Sequence, residues 1–186
     1  MSRVRCFVAV DVDDPDVISR VTRIQQQINE TGAKLKIVEP ENLHLTLRFI
    51  GEIEEEQVGR IVRALERIEF AGFQVEFVNL GAFPNNRRPR VIWIGVRKGA
   101  AELAELSVKV NLVLSELRLP KPEEEFTPHL TIARVKTGIG SLTTFIDKNS
   151  DVEIGMMTVD SLRLKKSILT PRGPIYETLY EKKATG

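Results

Sequence analysis

The sequence predicts a fold of helices and strands arranged in two lobes, related to each other by an approximate two-fold axis. Helical and strand patterns alternate twice along the chain, and no low-complexity linker separates the halves. A four-residue phrase also occurs twice, as HLTL at 44–47 and HLTI at 129–132, and it contains both histidines of the chain. With 186 residues, the chain fits one domain over residues 1–186, with one motif in each lobe.

The first half of the sequence has the pattern strand, helix, two strands, helix. A strand over 6–12 precedes a helix over 13–32, with Asp14 as N-cap, Pro15 in the first turn and Gly32 at the end. The other two strands and the second helix are predicted over 34–38, 43–50 and 54–70.

The second half of the sequence begins and ends with strands. Two strands over 73–83 and 91–96 flank a basic loop, 84–90, and a helix over 100–119 ends before Pro120. The second motif strand follows. The last predicted elements are a short helix near 142–148 and three strands, at 152–157, 159–166 and 175–182.

The composition excludes several classes of protein. The apolar fraction of 42% and the charged fraction of 28% are those of an ordinary globular protein, and the apolar runs are too short to span a bilayer. The single cysteine, Cys6, cannot form an internal disulfide or complete a zinc site of ordinary spacing with two histidines. We therefore expect a cytoplasmic protein without metal, cofactor or membrane partner. The net charge of +1 gives no general attraction for nucleic acid, so phosphate binding requires local basic clusters.

On a β-strand, each motif has a polar face and an apolar face. Side chains alternate between faces, so His44, Thr46 and Arg48 share one face, and the apolar residues from Leu43 to Phe49 share the other. The second motif follows the same alternation. Each motif therefore presents an imidazole beside a hydroxyl on the face opposite the core.

A histidine on a strand also has a simpler explanation, because a lone histidine is most often a half-exposed polar residue without a chemical role. Chance, or duplication of a fold without function, remains the alternative for a repeated phrase. Both histidines, however, lie in the same frame, 129 − 44 = 85 residues apart. This favours one shared task over two unrelated surface positions.

Two imidazoles at one cleft, each beside a hydroxyl, suit phosphodiester chemistry. An in-line displacement at phosphorus needs a base for the attacking oxygen and an acid for the leaving oxygen, and histidine titrates near neutral pH. The hydroxyls can donate hydrogen bonds to the non-bridging oxygens as charge develops there. The arrangement requires no metal ion.

The chain resembles the two-histidine (2H) phosphoesterase superfamily, which carries two H-x-T-x motifs, one in each lobe. Within it, the sequence is most similar to the 2′-5′ RNA ligases, also described as RNA 2′,3′-cyclic phosphodiesterases. The similarity runs through nearly the whole length, in RCFVAVDV, NLHLTLRFIGEI, FTPHLTIARV and SLRLKKSILTPRGPIYE. It implies a bilobal α+β fold, in which antiparallel sheets with helices on their outer faces line a central cleft.

The resemblance also implies the roles of the motif residues. In hydrolysis, His44 is expected to protonate the leaving ribose oxygen, and His129 is expected to activate water. Thr46 and Thr131 are expected to bind the phosphate. Arg134 matches a basic position of the group, but it lies off the His129 face in a regular strand. Phosphate binding by Arg134 therefore requires the strand to end or bulge there.

Basic residues outside the motifs are the predicted RNA contacts, with an ordinary solvated surface as the alternative. They lie in the loop 84–90, in the late segment 161–174 and on the first motif strand. They are Arg87, Arg88, Arg90, Lys165, Lys166, Arg172 and Arg48.

The activity implied by the resemblance is hydrolysis of a 2′,3′-cyclic phosphate at an RNA end, with reversible, ATP-independent joining of RNA through a 2′-5′ bond. The expected partner is an RNA with such an end, of which tRNA halves are one example, and the expected protein is a monomer. Two alternatives remain: a non-catalytic protein that binds RNA ends, and a 2H phosphodiesterase for small cyclic nucleotides or 2′-5′ oligoadenylates. The intact motifs argue against the first, since binding alone does not need two titrating groups.

Overall fold

The computed structural model describes residues 2–122 and 125–185, which contain nine strands and four α-helices. The strands are β1 (Arg3–Asp11), β2 (Lys34–Ile37), β3 (His44–Glu54), β4 (Phe73–Phe83), β5 (Val91–Val96), β6 (His129–Thr137), β7 (Glu153–Val159), β8 (Ser161–Thr170) and β9 (Gly173–Lys183). The helices are α1 (Pro15–Asn29), α2 (Val58–Glu66), α3 (Ala100–Leu114) and α4 (Leu142–Lys148).

The strands form two antiparallel halves of one sheet. One half has the order β3-β1-β8-β9, and the other has the order β7-β4-β5-β6, with β2 also paired to β6. The halves meet between β3 and β6, where the register contains one pair, Leu45 and Leu130. The predicted bilobal α+β fold is confirmed, and this pair joins the two halves of the sheet.

Neither lobe corresponds to one half of the chain. The lobe that contains β3 takes β8 and β9 from the C-terminus, and helices α2 and α3 pack on it. The lobe that contains β6 takes β4 and β5 from the middle of the chain, and helices α1 and α4 pack on it. As a result, the hairpin of β8 and β9 lies in the same lobe as the first motif.

Helices α1, α2 and α3 are shorter than the sequence patterns predict, whereas α4 has the predicted bounds. Helix α1 begins as expected, since the Asp14 side chain accepts hydrogen bonds from the amides of Asp16 and Val17, each at 3.0 Å. Helix α3 ends at Leu114, before the predicted end at 119, because the amides of Ser115 and Leu117 bond to carbonyls three residues back. The glutamates predicted to begin the second helix form a separate 3-10 turn before α2.

The core lies between the sheet and the helices. Leu45 and Leu130 are fully buried in it, together with Val21 and Ile28 of α1 and Leu106 of α3. The apolar side of each motif therefore anchors its strand to the core, as the alternation predicts. Within residues 2–122 and 125–185, no helix is both long and apolar enough to cross a membrane.

Candidate active site

A cavity of about 550 Å³ lies where β3 and β6 meet. The polar side of both motifs lines it, with His44 and Thr46 on one strand and His129 and Thr131 on the other. The hairpin of β8 and β9 supplies a further wall, which includes Tyr176. The two motifs thus face one shared space, as the sequence predicts.

Both imidazoles are held in the same way by the backbone. The Nδ1 atom of His44 lies 2.7 Å from the carbonyl oxygen of Asn42, and Nδ1 of His129 lies 2.7 Å from the carbonyl oxygen of Thr127. A carbonyl oxygen only accepts, so each Nδ1 carries a proton and donates it. This leaves Nε2 of each ring as the nitrogen available for proton transfer.

Aromatic side chains fix the orientation of both rings. The His44 ring lies 5.0 Å from the Phe7 ring and 5.3 Å, edge to face, from the Tyr176 ring. The His129 ring lies 5.0 Å, edge to face, from the Phe83 ring, which packs against Trp93 in turn. Such contacts restrict the imidazoles to one orientation before any substrate binds.

The environment of His44 favours its neutral form. Burial lowers the pKa of His44 below the ordinary value of 6.5, and the positive charges of Lys165 and His129 lower it further. The hydrogen bond to the Asn42 carbonyl and the carboxylate of Asp11 act in the opposite direction. The charge of His129 acts on His44 because both imidazoles line one cavity.

Both motif strands bulge immediately after the motif threonine. On β3, Thr46 pairs with Ala9 and Arg48 pairs with Val8, so Leu47 is an extra residue. On β6, the extra residue is Ile132, since the pairing moves from Thr131–Trp93 to Ala133–Ile92. Each bulge shifts the alternation of faces by one residue.

The bulge on β6 places Arg134 at the cavity, where its side chain is part of the lining. A regular strand would have turned Arg134 away from the cavity. The strand bulges before Arg134, as a contact between this side chain and a phosphate requires. The bulge on β3 has the opposite effect on Arg48, which is only 7% exposed. Its guanidinium donates to Oδ1 of Asn111 at 2.7 Å and to the carbonyl of Pro120 at 2.6 Å. The predicted cleft position of Arg48 is therefore wrong.

Basic residues outside the two motifs also line the cavity. Arg5 of β1, Lys36 of β2, Arg134 of β6 and Arg172 of the β8–β9 turn contribute to it, and Glu39 is the one carboxylate among the described lining residues. Cations concentrated in a cleft attract anions more strongly than the net charge of the chain suggests. Of the late basic residues proposed as RNA contacts, Arg172 is the one in the cavity wall.

The two late lysines lie elsewhere. Lys165 is buried, and its Nζ donates to both carboxylate oxygens of Asp11 at 2.9 and 3.0 Å. Arg163 also bonds to Asp11, and it reaches Glu181 at 2.8 Å. Lys166 is directed to the opposite side of β8, beside Cys6. The buried, ion-paired Lys165 is not available to contact RNA, which corrects that prediction. Lys166 does not line the cavity, and its contact with RNA stays a prediction.

The three loop arginines lie outside the cavity, on a loop that begins beside His129. Arg87, Arg88 and Arg90 are exposed on the loop between β4 and β5, and this loop starts at Phe83, whose ring contacts His129. The Asn85 side chain accepts hydrogen bonds from two loop amides at 3.0 Å, which gives the loop a defined shape. Their contact with RNA stays a prediction.

Sequence patterns missed several residues of the cavity. Arg5 and Phe7 share a strand face, but alternation alone does not tell which face of β1 meets the cleft. Lys36 reaches the cavity because β2 pairs with β6, a long-range pairing that has no local signal. Phe49 was predicted to lie in the core and lines the cavity instead. Across the described parts of the chain, no cluster of three or more His, Cys, Asp or Glu side chains is arranged to hold a metal ion.

Comparison with known proteins accounts for the repeated motif. The model of LigT-like phosphoesterases matches the chain twice, over residues 10–93 and 94–176, so that each match contains one motif. The chain belongs to the LigT-like phosphoesterase family. Its relatives in this family include the RNA 2′,3′-cyclic phosphodiesterase of Aeropyrum pernix, 44% identical over 90% of this chain and 97% of that protein. The enzyme of the same name from Archaeoglobus fulgidus is 43% identical over 94% of this chain and 97% of that protein.

Solved structures share the fold of this chain. The crystal structure of TT0787 of Thermus thermophilus superposes with a TM-score of 0.80 at 29% identity, covering 96% of this chain and 97% of that one. The crystal structure of E. coli LigT complexed with 3′-AMP gives a TM-score of 0.81 at 22% identity, with 100% of both chains covered. These superpositions confirm the α+β architecture over nearly the whole chain.

Proposed function

We propose that this LigT-like phosphoesterase hydrolyses 2′,3′-cyclic phosphates at RNA ends to phosphomonoesters. One observation carries the proposal: both imidazoles are anchored through Nδ1 to backbone carbonyls and line a single basic cavity. The relatives at 43–44% identity named RNA 2′,3′-cyclic phosphodiesterases support the choice of substrate class.

Hydrolysis requires one proton to be taken up and one to be delivered. In the proposed reaction, Nε2 of His129 accepts a proton from water as the water oxygen attacks phosphorus. Nε2 of His44 donates a proton to the ribose oxygen as its bond to phosphorus breaks. The ring opens to a phosphomonoester, and each such proton transfer contributes roughly a hundred- to ten-thousand-fold in rate.

Charge on the phosphoryl oxygens is stabilised by neighbouring donors. We assign this role to the hydroxyls of Thr46 and Thr131 and to the guanidinium of Arg134, which share the cavity with the histidines. The bound phosphate anion also raises the pKa of a nearby imidazole, which offsets the effect of burial on His44. His44 therefore becomes a competent acid when substrate is present.

The same groups support joining of RNA. A 5′-hydroxyl can replace water as the attacking group, and rupture of the bond between phosphorus and O3′ then leaves a 2′-5′ phosphodiester. His129 takes the proton of the hydroxyl, and His44 protonates O3′. No ATP is consumed, because one P–O ester bond is exchanged for another and opening of the cyclic phosphate releases its ring strain.

A second candidate is hydrolysis of small cyclic nucleotides or 2′-5′ oligoadenylates. The volume of about 550 Å³ lies in the range of pockets that enclose one small molecule, so it accommodates a mononucleotide. The exposed arginines of the β4–β5 loop, which begins beside His129, favour a longer RNA. We extend the proposal to RNAs such as tRNA halves as substrates and to the cytoplasm as the location. We also propose that the protein acts as a monomer, since one chain supplies every proposed catalytic group.

Turnover of matched substrates tests the proposal. We expect kcat/KM in EDTA to be higher for an oligoribonucleotide with a 2′,3′-cyclic phosphate end than for the cyclic mononucleotide or a 2′-5′ oligoadenylate. A preference for either small substrate would select the second candidate. Binding of the RNA without any turnover would make the chain a non-catalytic RNA-end protein, and loss of turnover in EDTA would contradict the assigned roles.

A further inference from the structure

A buried ion pair lies one strand away from the first motif. Lys165 of β8 is only 5% exposed, and its Nζ donates to the two carboxylate oxygens of Asp11 of β1 at 2.9 and 3.0 Å. Arg163 of β8 also bonds to Asp11, and it reaches Glu181 of β9 at 2.8 Å. Two cations and two carboxylates therefore form one chain of ion pairs across three neighbouring strands.

The strand register places this ion pair beside His44. Asp11 is the register partner of His44 on β3, so the two side chains share one face of the sheet. Lys165 is the register partner of Phe7, whose ring centroid lies 5.0 Å from that of the His44 ring. Ala9 lies between Phe7 and Asp11 on the same face, and its small side chain leaves space for Lys165 to reach Asp11. The charges of the pair therefore lie close to the imidazole.

Stability alone does not account for a buried lysine at this position. Charged groups lose their hydration on burial, and apolar side chains of similar volume often replace a buried ion pair without loss of stability. Asp11, Arg163, Lys165 and Glu181 all belong to the described part of the chain, and none of them lines the cavity. We therefore assign them no contact with the substrate. A cluster of buried charges beside a catalytic group is a candidate for control of that group.

The two charges of the pair act on His44 in opposite directions. Burial is the main cause of the low pKa of His44, and the hydrogen bond to the Asn42 carbonyl opposes it. Of the charged groups, Lys165 has the largest effect and lowers the pKa, while Asp11 raises it and His129 lowers it, each by less. Further charged or titratable groups line the cavity that His44 faces. They are Arg5, Lys36, Glu39, Arg134, Arg172 and Tyr176.

Resting on the proposed function, we infer that Lys165 and Asp11 are positioning residues for the acid His44. Lys165 holds the imidazole neutral before substrate binds, and Asp11 fixes the place of the lysine charge. A phosphate anion in the cavity then adds the opposite charge, so His44 takes up a proton from solvent when the substrate arrives. The substrate itself thereby converts His44 into the acid that its leaving oxygen needs.

An NMR titration of His44 in charge variants tests this inference. Lys165→Met removes the cation and leaves Asp11 bonded to Arg163, so the pKa of His44 should rise. Asp11→Asn keeps the shape of the side chain and removes the anion, so the pKa of His44 should fall. A purely structural role predicts a rise in both variants, because loosened packing would admit water to the imidazole. Lys148→Met, on an exposed position of α4, removes an equal charge and should leave the pKa unchanged.

Turnover of two substrates shows whether the pair acts through the acid. With a cyclic phosphate, the limb of the kcat/KM profile that reports the pKa of His44 should move to higher pH in Lys165→Met. The comparison is a 4-nitrophenyl ester of a 2′-deoxynucleoside 3′-phosphate, whose leaving group needs no proton. On this ester, the pH profile of Lys165→Met should follow that of the wild-type chain.

A double variant keeps the test decisive if one single variant does not fold. Asp11→Asn/Lys165→Met removes both charges, so its His44 pKa should lie below that of Lys165→Met and above that of Asp11→Asn. The inference would be overturned by shifts of the same sign in the two single variants, by an unchanged pKa in Lys165→Met, by a double variant outside this range, or by equal changes on both substrates.

The NMR titration needs no turnover, so it is independent of the proposed activity. A chain that shows the opposite pKa shifts but hydrolyses no cyclic phosphate would contradict the proposed function. The influence of the ion pair on His44 would then still stand.

Discussion

Leu45 of β3 and Leu130 of β6 are register partners, and they form the contact that joins the two motif strands. Extending this antiparallel register by one residue in each direction brings His44 opposite Thr131 and Thr46 opposite His129. Directly opposed residues on one face have Cβ atoms roughly 4.5–5.5 Å apart. On this register each imidazole lies beside the hydroxyl of the other motif, which supports the proposal that one phosphate contacts all four side chains.

The threonine hydroxyls are the first target for mutation. Thr46→Val and Thr131→Val keep the shape of the side chain and remove the donor, so each should lower kcat by about a hundred- to a thousandfold with a smaller effect on KM. Steady-state kinetics on an RNA with a cyclic end would measure this. Thr158→Val, on an exposed position of β7, is the matched control. If kcat fell by less than twofold in both motif variants, the hydroxyls would not contribute to catalysis.

The pKa of His44 can be measured directly because the chain has two histidines. An NMR titration should give a pKa below 6.5 for His44, owing to its burial, and His129→Gln should raise that pKa by removing a nearby positive charge. Protonation of His44 is then harder in the folded chain than in the unfolded chain. The free energy of unfolding should consequently fall as the pH drops below about 6.5.

Denaturant unfolding at pH 7 and pH 5 measures the second part of this prediction. His44→Gln should show a smaller loss of stability between these two pH values than the wild-type chain. An equal loss in both proteins would assign the acid sensitivity to other groups, and a wild-type pKa above 6.5 would contradict the effect of burial.

Arg48 should matter for stability and not for RNA binding. Its guanidinium donates to Asn111 and Pro120 inside the protein, and a hydrogen bond from a charged donor is worth about 1.5–3 kcal/mol. Arg48→Met should lower the free energy of unfolding by about 3 kcal/mol and leave KM for RNA unchanged. Arg60→Met, on an exposed position of α2, provides the comparison. A raised KM for RNA with unaltered stability would instead indicate that Arg48 contacts the substrate.

The loop arginines should affect the binding of long substrates. Replacing Arg87, Arg88 and Arg90 by glutamine should weaken binding of an oligonucleotide and flatten its dependence on salt, while turnover of a cyclic mononucleotide changes little. A triple variant of exposed arginines on α2 and at its C-cap makes the same change in net charge away from the cleft, at Arg60, Arg63 and Arg67. If both triple variants lost the same binding affinity for the oligonucleotide, the effect would be one of overall charge. If the loop variant lost activity equally on both substrates, the loop would belong to the catalytic centre.

The sequence predicts the motif face of the site because its signal is local. Two histidines in one four-residue frame, with apolar residues between the polar ones, determine which side of each strand meets the core. The order of helices and strands follows from equally local patterns of periodicity and capping. These features survive in the structure, including the N-cap at Asp14 and the common cavity of His44 and His129.

The rest of the site depends on pairing between distant strands. The bulge that exposes Phe49 and buries Arg48 arises because β3 inserts an extra residue, Leu47, opposite its partner β1, which no pattern within β3 reveals. The ion pair of Lys165 with Asp11 joins positions 154 residues apart, and Lys36 enters the cavity through the pairing of β2 with β6. The assignment of the C-terminal strands β8 and β9 to the lobe of the first motif likewise depends on the pairing of the whole sheet.

The division of labour between the histidines is the central claim, and the leaving group tests it most directly. The measurement is kcat/KM of the wild-type, His44→Ala and His129→Ala chains on two substrates. One is a cyclic phosphate whose leaving group is a ribose oxygen. The other is a 4-nitrophenyl ester of a 2′-deoxynucleoside 3′-phosphate, which has no 2′-hydroxyl to attack phosphorus and whose leaving group needs no proton. On the ribose substrate, each replacement should reduce kcat/KM by roughly a hundred- to ten-thousandfold.

On the nitrophenyl ester, His44→Ala should retain most of the wild-type rate, because the acid has become unnecessary, while His129→Ala should remain impaired, because water still requires a base. Rescue of His129→Ala instead would reverse the two roles. Wild-type rates for both variants on both substrates would contradict the account, since the two histidines would then not be the catalysts.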